Sequence, residues 1–271
     1  VLPFIAQHMN EIQDVCNSLQ VSRVWRECLA QCSGCIDLAI VVGLTTSLTR
    51  TAAVASWLQR YGRLVERIEF VYDDDMVADH TADMAVAESL IAQACQLAAA
   101  QLRPLQTARV SKDDLQTPAF LSSLPAYSLT RLTLEELRPS SNTIGALARG
   151  LGHLTGLREL SMDATITFER AEHVFPAACL SGLKQLSNLT VLILSGDPHQ
   201  WGSGLEQYLP AQLKSICAYG VEAISGDLRH LTGLTDLVLV AGDLSLTQLP
   251  IQLQELTAKT TGECVRCRSP R

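Results

Sequence analysis

Aromatic residues are scarce in this chain of 271 residues: Phe, Tyr and Trp make up 5% of it, although 47% is hydrophobic. A core of that composition is built from aliphatic side chains in layers, not from packed rings. Basic charge is also short. The formal net charge is −7, which argues against a broad polyanion-binding surface, so nucleic acid is not an expected partner. Long apolar runs are missing. The longest candidate, Ala39 to Leu44, follows Asp37 and falls far below the ~18 residues a membrane-spanning helix needs, so no membrane partner is expected. Val1-Leu-Pro-Phe4 lacks the basic start and cleavage site of a secretory leader. The first residue is not Met, as in a piece of a longer chain. A cytoplasmic setting is expected, with the nucleus as a second address. There the nine cysteines read as reduced thiols. Cys95 and Cys179 fall at apolar positions, where Cys acts as a small hydrophobe.

Catalytic signatures are missing too. Gly202-Ser-Gly204 does not complete a G-x-S-x-G elbow, and no G-x-x-x-x-G-K-(S/T) loop exists. The six histidines are scattered, and His153 and His230 hold the same place before Leu-Thr-Gly, which marks them as structural loop residues. The run Asp73-Asp-Asp75, with Asp79 and Asp83 nearby, lacks the Gly and Glu offsets of a calcium loop and reads as solvated. Cys28, Cys32 and Cys35 share one helix face. Two C-x-x-C pairs, Cys32–Cys35 and Cys264–Cys267, stand about 230 residues apart and read as core or tail cysteines, not as a zinc site. The expectation is a protein with no cofactor, no metal and no catalytic activity.

What the chain does have is repetition. Leu151-Gly-His-Leu154-Thr-Gly-Leu157-Arg-Glu-Leu160 returns at Leu183 to Leu192 and again at Leu228 to Leu237. A leaner form, Pro-x-Gln-Leu-x-x-(Ile/Leu), occupies Pro210 to Ile216 and Pro250 to Leu256, and Leu129-Thr-Arg-Leu132-Thr-Leu134 is the cleanest ending. In x-Leu-x-Leu the side chains alternate, so a short strand buries its leucines and offers the residues between them to solvent. One such strand cannot hide its apolar face; stacked copies can. Strand phrases start at Leu129, Leu157, Leu189, Leu213, Leu234 and Leu253, with gaps of 28, 32, 24, 21 and 19.

These phrases and spacings resemble the leucine-rich repeat family, whose period is about 20–29 residues. The resemblance implies an α/β solenoid, with short parallel strands on the concave face and helices or turns on the convex face. In that family Asn or Cys commonly fills the ninth place of the phrase and ties the loops together. Here the places hold Leu137, Thr165, Asp197, Val221, Gly242 and Thr261, so uneven units and irregular turns are expected. Core positions are Leu132, Leu134, Leu160, Met162, Leu192, Leu194, Leu237, Leu239 and Leu256. The alternating set lines the concave, partner-binding face: Arg131, Thr133, Glu159, Ser161, Val191, Ile193, Ser215, Cys217, Asp236, Val238, Glu255 and Thr257. Val191, Ile193 and Val238 form an apolar patch there.

Upstream, Phe4 to Met9 and Ile12 to Leu19 carry apolar residues at helical spacing and lead into Val21-Ser-Arg-Val-Trp25-Arg. That phrase resembles the second half of an F-box, in a degenerate or truncated copy. The resemblance implies three helices that dock Skp1, the adaptor of cullin-type ubiquitin ligases, through Phe4, Ile5, Met9, Val21 and Trp25. A helical cap over the open end of the solenoid is compatible with the same residues.

Between these parts, Ile36 to Val42 reads as a buried strand and Thr51 to Tyr61 as an amphipathic helix with Gly62 as its C-cap. Val65 to Phe70 reads as a strand, Ala82 to Gln101 as a helix ended by Pro104, and Leu105 to Val110 as a strand. Ser111 to Ala126 is polar, carries two prolines and reads as a long loop. Convex helices are expected at Asn142 to Leu154 and Glu169 to Leu186, and only turns beyond Pro210. The organisation is then an F-box-like helical segment at 1–35, irregular units with convex helices at 36–128, leucine-rich repeats at 129–258 and a disordered tail at 259–271. The expected function is protein–protein interaction, as the substrate-recognition subunit of an SCF-type ubiquitin ligase, with a Skp1-like adaptor at one end and an unknown protein substrate on the concave face. The alternative is a non-ligase scaffold in a cytoskeletal or ciliary (axonemal) assembly.

Overall fold

The structure, a computed structural model, describes residues 36–42, 48–72, 81–111, 119–135, 144–164, 176–196, 201, 204–219, 226–240, 246–259 and 264–268. The F-box-like segment 1–35, the Asp73–Asp75 run and all six ninth-place residues lie outside these.

Each leucine phrase becomes a strand. The strands are β1 (Ile36–Val42), β2 (Val65–Tyr72), β3 (Thr107–Ser111), β4 (Arg131–Glu135), β5 (Glu159–Asp163), β6 (Val191–Ser195), β7 (Ser215–Tyr219), β8 (Gly226–Asp227), β9 (Asp236–Val240), β10 (Leu246–Gln248), β11 (Glu255–Lys259) and β12 (Cys264–Arg268). Among the described residues, ten of them form one sheet in the order β1-β2-β3-β4-β5-β6-β7-β9-β11-β12. The first nine run parallel and the last pair, β11 and β12, runs antiparallel. The two short strands β8 and β10 pair with each other outside that sheet. Strand order follows sequence order, so each unit adds one rung beside the last. This is an α/β, solenoid-like fold.

Register turns the repeat into rows. Leu38, Ile68, Ala108, Leu132, Leu160, Leu192, Ile216, Leu237 and Leu256 stand side by side across the nine parallel strands. A second row, two residues on, runs from Ile40 through Phe70, Val110, Leu134, Met162, Leu194, Ala218 and Leu239 to Ala258. Both rows are buried except at the last rung, where Leu256 is only half-buried against the cluster. The expected core is otherwise in place.

The opposite layer is helical at first and thins along the chain. It holds α1 (Leu48–Tyr61), α2 (Thr81–Leu97), α3 (Ala119–Ser123) and α4 (Ile144–His153), then 3₁₀ segments at Ala177–Gln185 and Leu205–Tyr208, each packed on the next. In α1, Val54, Trp57, Leu58 and Tyr61 recur at i, i+3, i+4 and i+7 and face the core. In α2 and the turn that follows it, Ile91, Ala94, Cys95, Ala98 and Leu102 do the same. Beyond α4 the described connections hold 3₁₀ segments and then turns, beginning in the unit before β6, which at 32 residues is longer than the 28-residue unit that holds α4.

Four expectations need correction. Ser111 to Ala126 is not all loop: α3 forms within it, because Phe120 and Leu121 are buried and the Phe120 ring meets Phe70 edge-on at 4.9 Å between centroids. Tertiary contact outweighs the polar, proline-bracketed sequence. Gly62 is not a left-handed cap but opens a 3₁₀ turn, Gly62–Leu64, pressed against Leu102. The convex segment ending at Leu186 is 3₁₀ over Ala177–Gln185, not α-helical. The stretch 259–271 is not a structureless tail, since β12 pairs along β11 and closes the edge of the sheet.

The units are tied together just ahead of each strand. Thr130 and Thr190 donate their hydroxyls to the carbonyls of Gln106 and Arg158, one unit back. The residue preceding the phrase leucine makes a second tie. Asn188, Gln212 and Gln252 reach back with side-chain amides to the carbonyls of Thr155, Leu186 and Leu231, at 2.8, 2.6 and 2.9 Å. Gly156 and Gly233 instead bring their backbone N–H groups to Ala126 and Ala211. A Cβ on Gly156 would overlap the Tyr127 carbonyl, so the glycine is fixed by close approach. The Leu-Thr-Gly-Leu and Pro-x-Gln-Leu forms of the phrase are thus two solutions to one bond. Replacing Gln212 with Ala removes one such tie and is expected to cost about 0.5–1.5 kcal/mol, read as a lowered urea midpoint at unchanged m-value.

Candidate interaction surface

The alternating residues of the strands face away from the helical layer, and the register again sets them in rows. The first row is Asp37, Arg67, Thr107, Arg131, Glu159, Val191, Ser215, Asp236 and Glu255; the second is Ala39, Glu69, Arg109, Thr133, Ser161, Ile193, Cys217, Val238 and Thr257. All the residues the sequence placed on this face are on it, Arg131 exposed and the rest half-buried. The Skp1-docking set, Phe4, Ile5, Met9, Val21 and Trp25, lies outside the described residues. The sequence reading missed the contribution of β1 to β3, whose strands keep a single leucine, Leu38, and otherwise carry Ile, Val, Phe and Ala in place of the leucine phrase. Plain alternation in Ile36 to Val42 and Val65 to Phe70 was the available signal. It also missed a third row that includes Ser195, Tyr219 and Val240, in which Tyr219 is 44% exposed.

The two halves of the open face differ in chemistry. From β1 to β5 it is a lattice of cross-strand ion pairs. Arg67 meets Asp37 at 3.5 Å, Arg109 bridges Glu69 at 3.1 Å and Glu135 at 2.8 Å, and Arg131 meets Glu159 at 2.9 Å. The hydrogen bond to Glu135 raises the Arg109 pKa above its usual value, with burial opposing. At the leading ends of β2 to β5, Glu66, Arg67, Gln106, Thr130, Arg131 and Arg158 help line a shallow polar cleft of about 320 Å³. From β6 to β9 the second row turns apolar: Ile193, Cys217 and Val238 are consecutive in it, with Val191 beside them in the first row, where Ser215 and Asp236 stay polar.

The interior thiols differ from Cys217. Burial pushes Cys95 and Cys179 up to about 12, so both stay protonated and pack as small apolar groups. Cys217 is half-exposed on the open face.

No family model and no curated protein matches the chain. Among solved structures, the chain is similar to one of the Toll–Spätzle complex, described as a molecular hub in Drosophila development and innate immunity. The TM-score is 0.46 and the identity 13%, over 84% of this chain and 34% of that one. The chain therefore spans about a third of the length of that neighbour. Among the described residues, no helix is long and apolar enough to cross a membrane.

Proposed function

We propose that this chain is a leucine-rich repeat interaction protein that works by contact, without catalysis or cofactor, and that its open face binds a protein substrate. The observation carrying this reading is the apolar strip Ile193–Cys217–Val238, on a sheet face that, among the described residues, has no helix over it. A half-exposed apolar patch with polar surroundings is the usual form of a partner site. The phrase Val21-Ser-Arg-Val-Trp25-Arg adds the second half of the proposal: the F-box-like segment docks a Skp1-like adaptor and makes the chain the substrate-recognition subunit of an SCF-type ubiquitin ligase in the cytoplasm.

Co-expression of the full chain with Skp1 tests the second half. The expected result is a complex that survives gel filtration and is lost on Trp25→Ala while the thermal melt of the chain stays the same. A chain that never retains Skp1 yet still binds a protein through the open face is instead a scaffold, of the kind found in cytoskeletal or ciliary assemblies.

A further inference from the structure

We propose that docking is confined to the β6–β7–β9 part of the open face, and that this part takes a protein segment in which a Lys or Arg side chain lies about 7 Å from an apolar one. This rests on the reading that the open face binds a protein partner, and it names the chemistry of that partner.

Three observations converge. First, the β1–β5 half is already satisfied. Arg67, Arg109 and Arg131 each hold a carboxylate from an adjacent strand, so a partner settling there must break those pairs before making its own. Second, Ile193, Cys217 and Val238 occupy one row on three neighbouring strands, a strip about 10 Å long at ordinary strand spacing. Val191 flanks it in the next row, and Tyr219 stands at its trailing end. Third, Asp236 lies two residues before Val238 on the same strand and so on the same face. Among the described residues it accepts a hydrogen bond from Thr235 Oγ1 at 2.6 Å and pairs with no cation. That leaves the half-buried Asp236 carboxylate open to an arriving Lys or Arg, whose attraction is stronger there than in bulk water. The cations Arg158 and Lys214 precede the first row by one residue, at the rim rather than on the strip.

The spacing sets what fits. Asp236 and Val238 are separated by two residues of extended chain, about 7 Å. A partner matches that with side chains three or four apart on a helix, or with alternate residues of a strand.

The test is a selection of random displayed peptides on the full chain, followed by anisotropy measurements with the resynthesised winners. Winners are expected to combine Lys or Arg with a nearby Leu, Ile, Phe or Trp. Their Kd is expected to rise about tenfold on Ile193→Asp and on Asp236→Lys, to rise with salt, and to stay unchanged on Arg109→Ala and Lys214→Ala. Melting curves confirm that each variant is folded; if Ile193→Asp is not, Asp236→Lys alone decides. Acidic winners, or winners released by Arg109→Ala and not by Asp236→Lys, overturn this site while leaving a protein-binding open face. Failure to enrich any peptide overturns both.

Discussion

Leu192→Asp is expected to abolish the cooperative thermal melt of the chain. Leu192 sits in the inward row between Leu160 and Ile216 and is fully buried. The substitution removes an aliphatic side chain from a packed layer, worth about 2–5 kcal/mol in comparable cores. It also places a carboxylate where no described cation can reach it, so the acid must either stay protonated or force the layer open. Together these approach the entire stability of a typical domain, about 5–15 kcal/mol. Because each rung touches only its neighbours, the damage should spread through β5 and β7 first. Hydrogen exchange would show protection lost in those strands ahead of β2. Ile193→Asp, one position along, is the control: its side chain faces the open side, and it should melt much as the wild type does. An unchanged melting temperature for Leu192→Asp would mean that the register is wrong.

Gly182→Ala is expected to destabilise the chain by about 1–3 kcal/mol, or more if the backbone cannot shift. Gly182 lies in the 3₁₀ segment Ala177–Gln185 where it crosses α4. A methyl group there would overlap the Ala148 carbonyl and come within 2.9 Å of the Gly152 nitrogen. Those are backbone atoms held by a helix, so they yield only if the two segments move apart. Gly152→Ala, on the other side of the same crossing, meets only the amide end of Gln185, at 2.7 Å from Oε1. That side chain is exposed and swings away. Chemical denaturation of the two variants should therefore separate them clearly, although both put the same methyl group into the same crossing. Equal midpoints would show that α4 and the 3₁₀ segment are not packed as closely as described.

How much of this was legible follows from which interactions repeat. The inward and outward rows of β4 to β11 could be read because leucine recurs at fixed places in a short phrase, and alternation then assigns every neighbour to a face. Apart from Leu38, the units at β1 to β3 use Ile, Phe, Ala and Val for the same layer, so their strands were readable but their place on the open face was not. Helix α3 escaped because its support comes from Phe70, fifty residues earlier, and nothing within Ala119–Ser123 states that contact. The β11–β12 hairpin escaped because an antiparallel return breaks the period on which the rest of the reading depended. On the open face, sequence alternation named the apolar residues. It could not say that Arg67, Arg109 and Arg131 neutralise carboxylates one strand away, because those pairings are fixed by register between units, not by spacing within them.

The reversal at β12 has a practical consequence for anyone labelling this protein. Nine strands carry the chain away from the rim where they begin; the tenth brings it back, leaving Arg268 directly opposite Glu255, the first residue of β11. A fluorophore or affinity handle fused shortly after Arg268 is therefore tethered one strand away from Glu255, within reach of the surface whose occupancy it is meant to report. Attachment to an exposed residue of the helical layer, such as Gln59 or Gln93, puts the reporter on the opposite side of the sheet and keeps the measurement independent of its own probe.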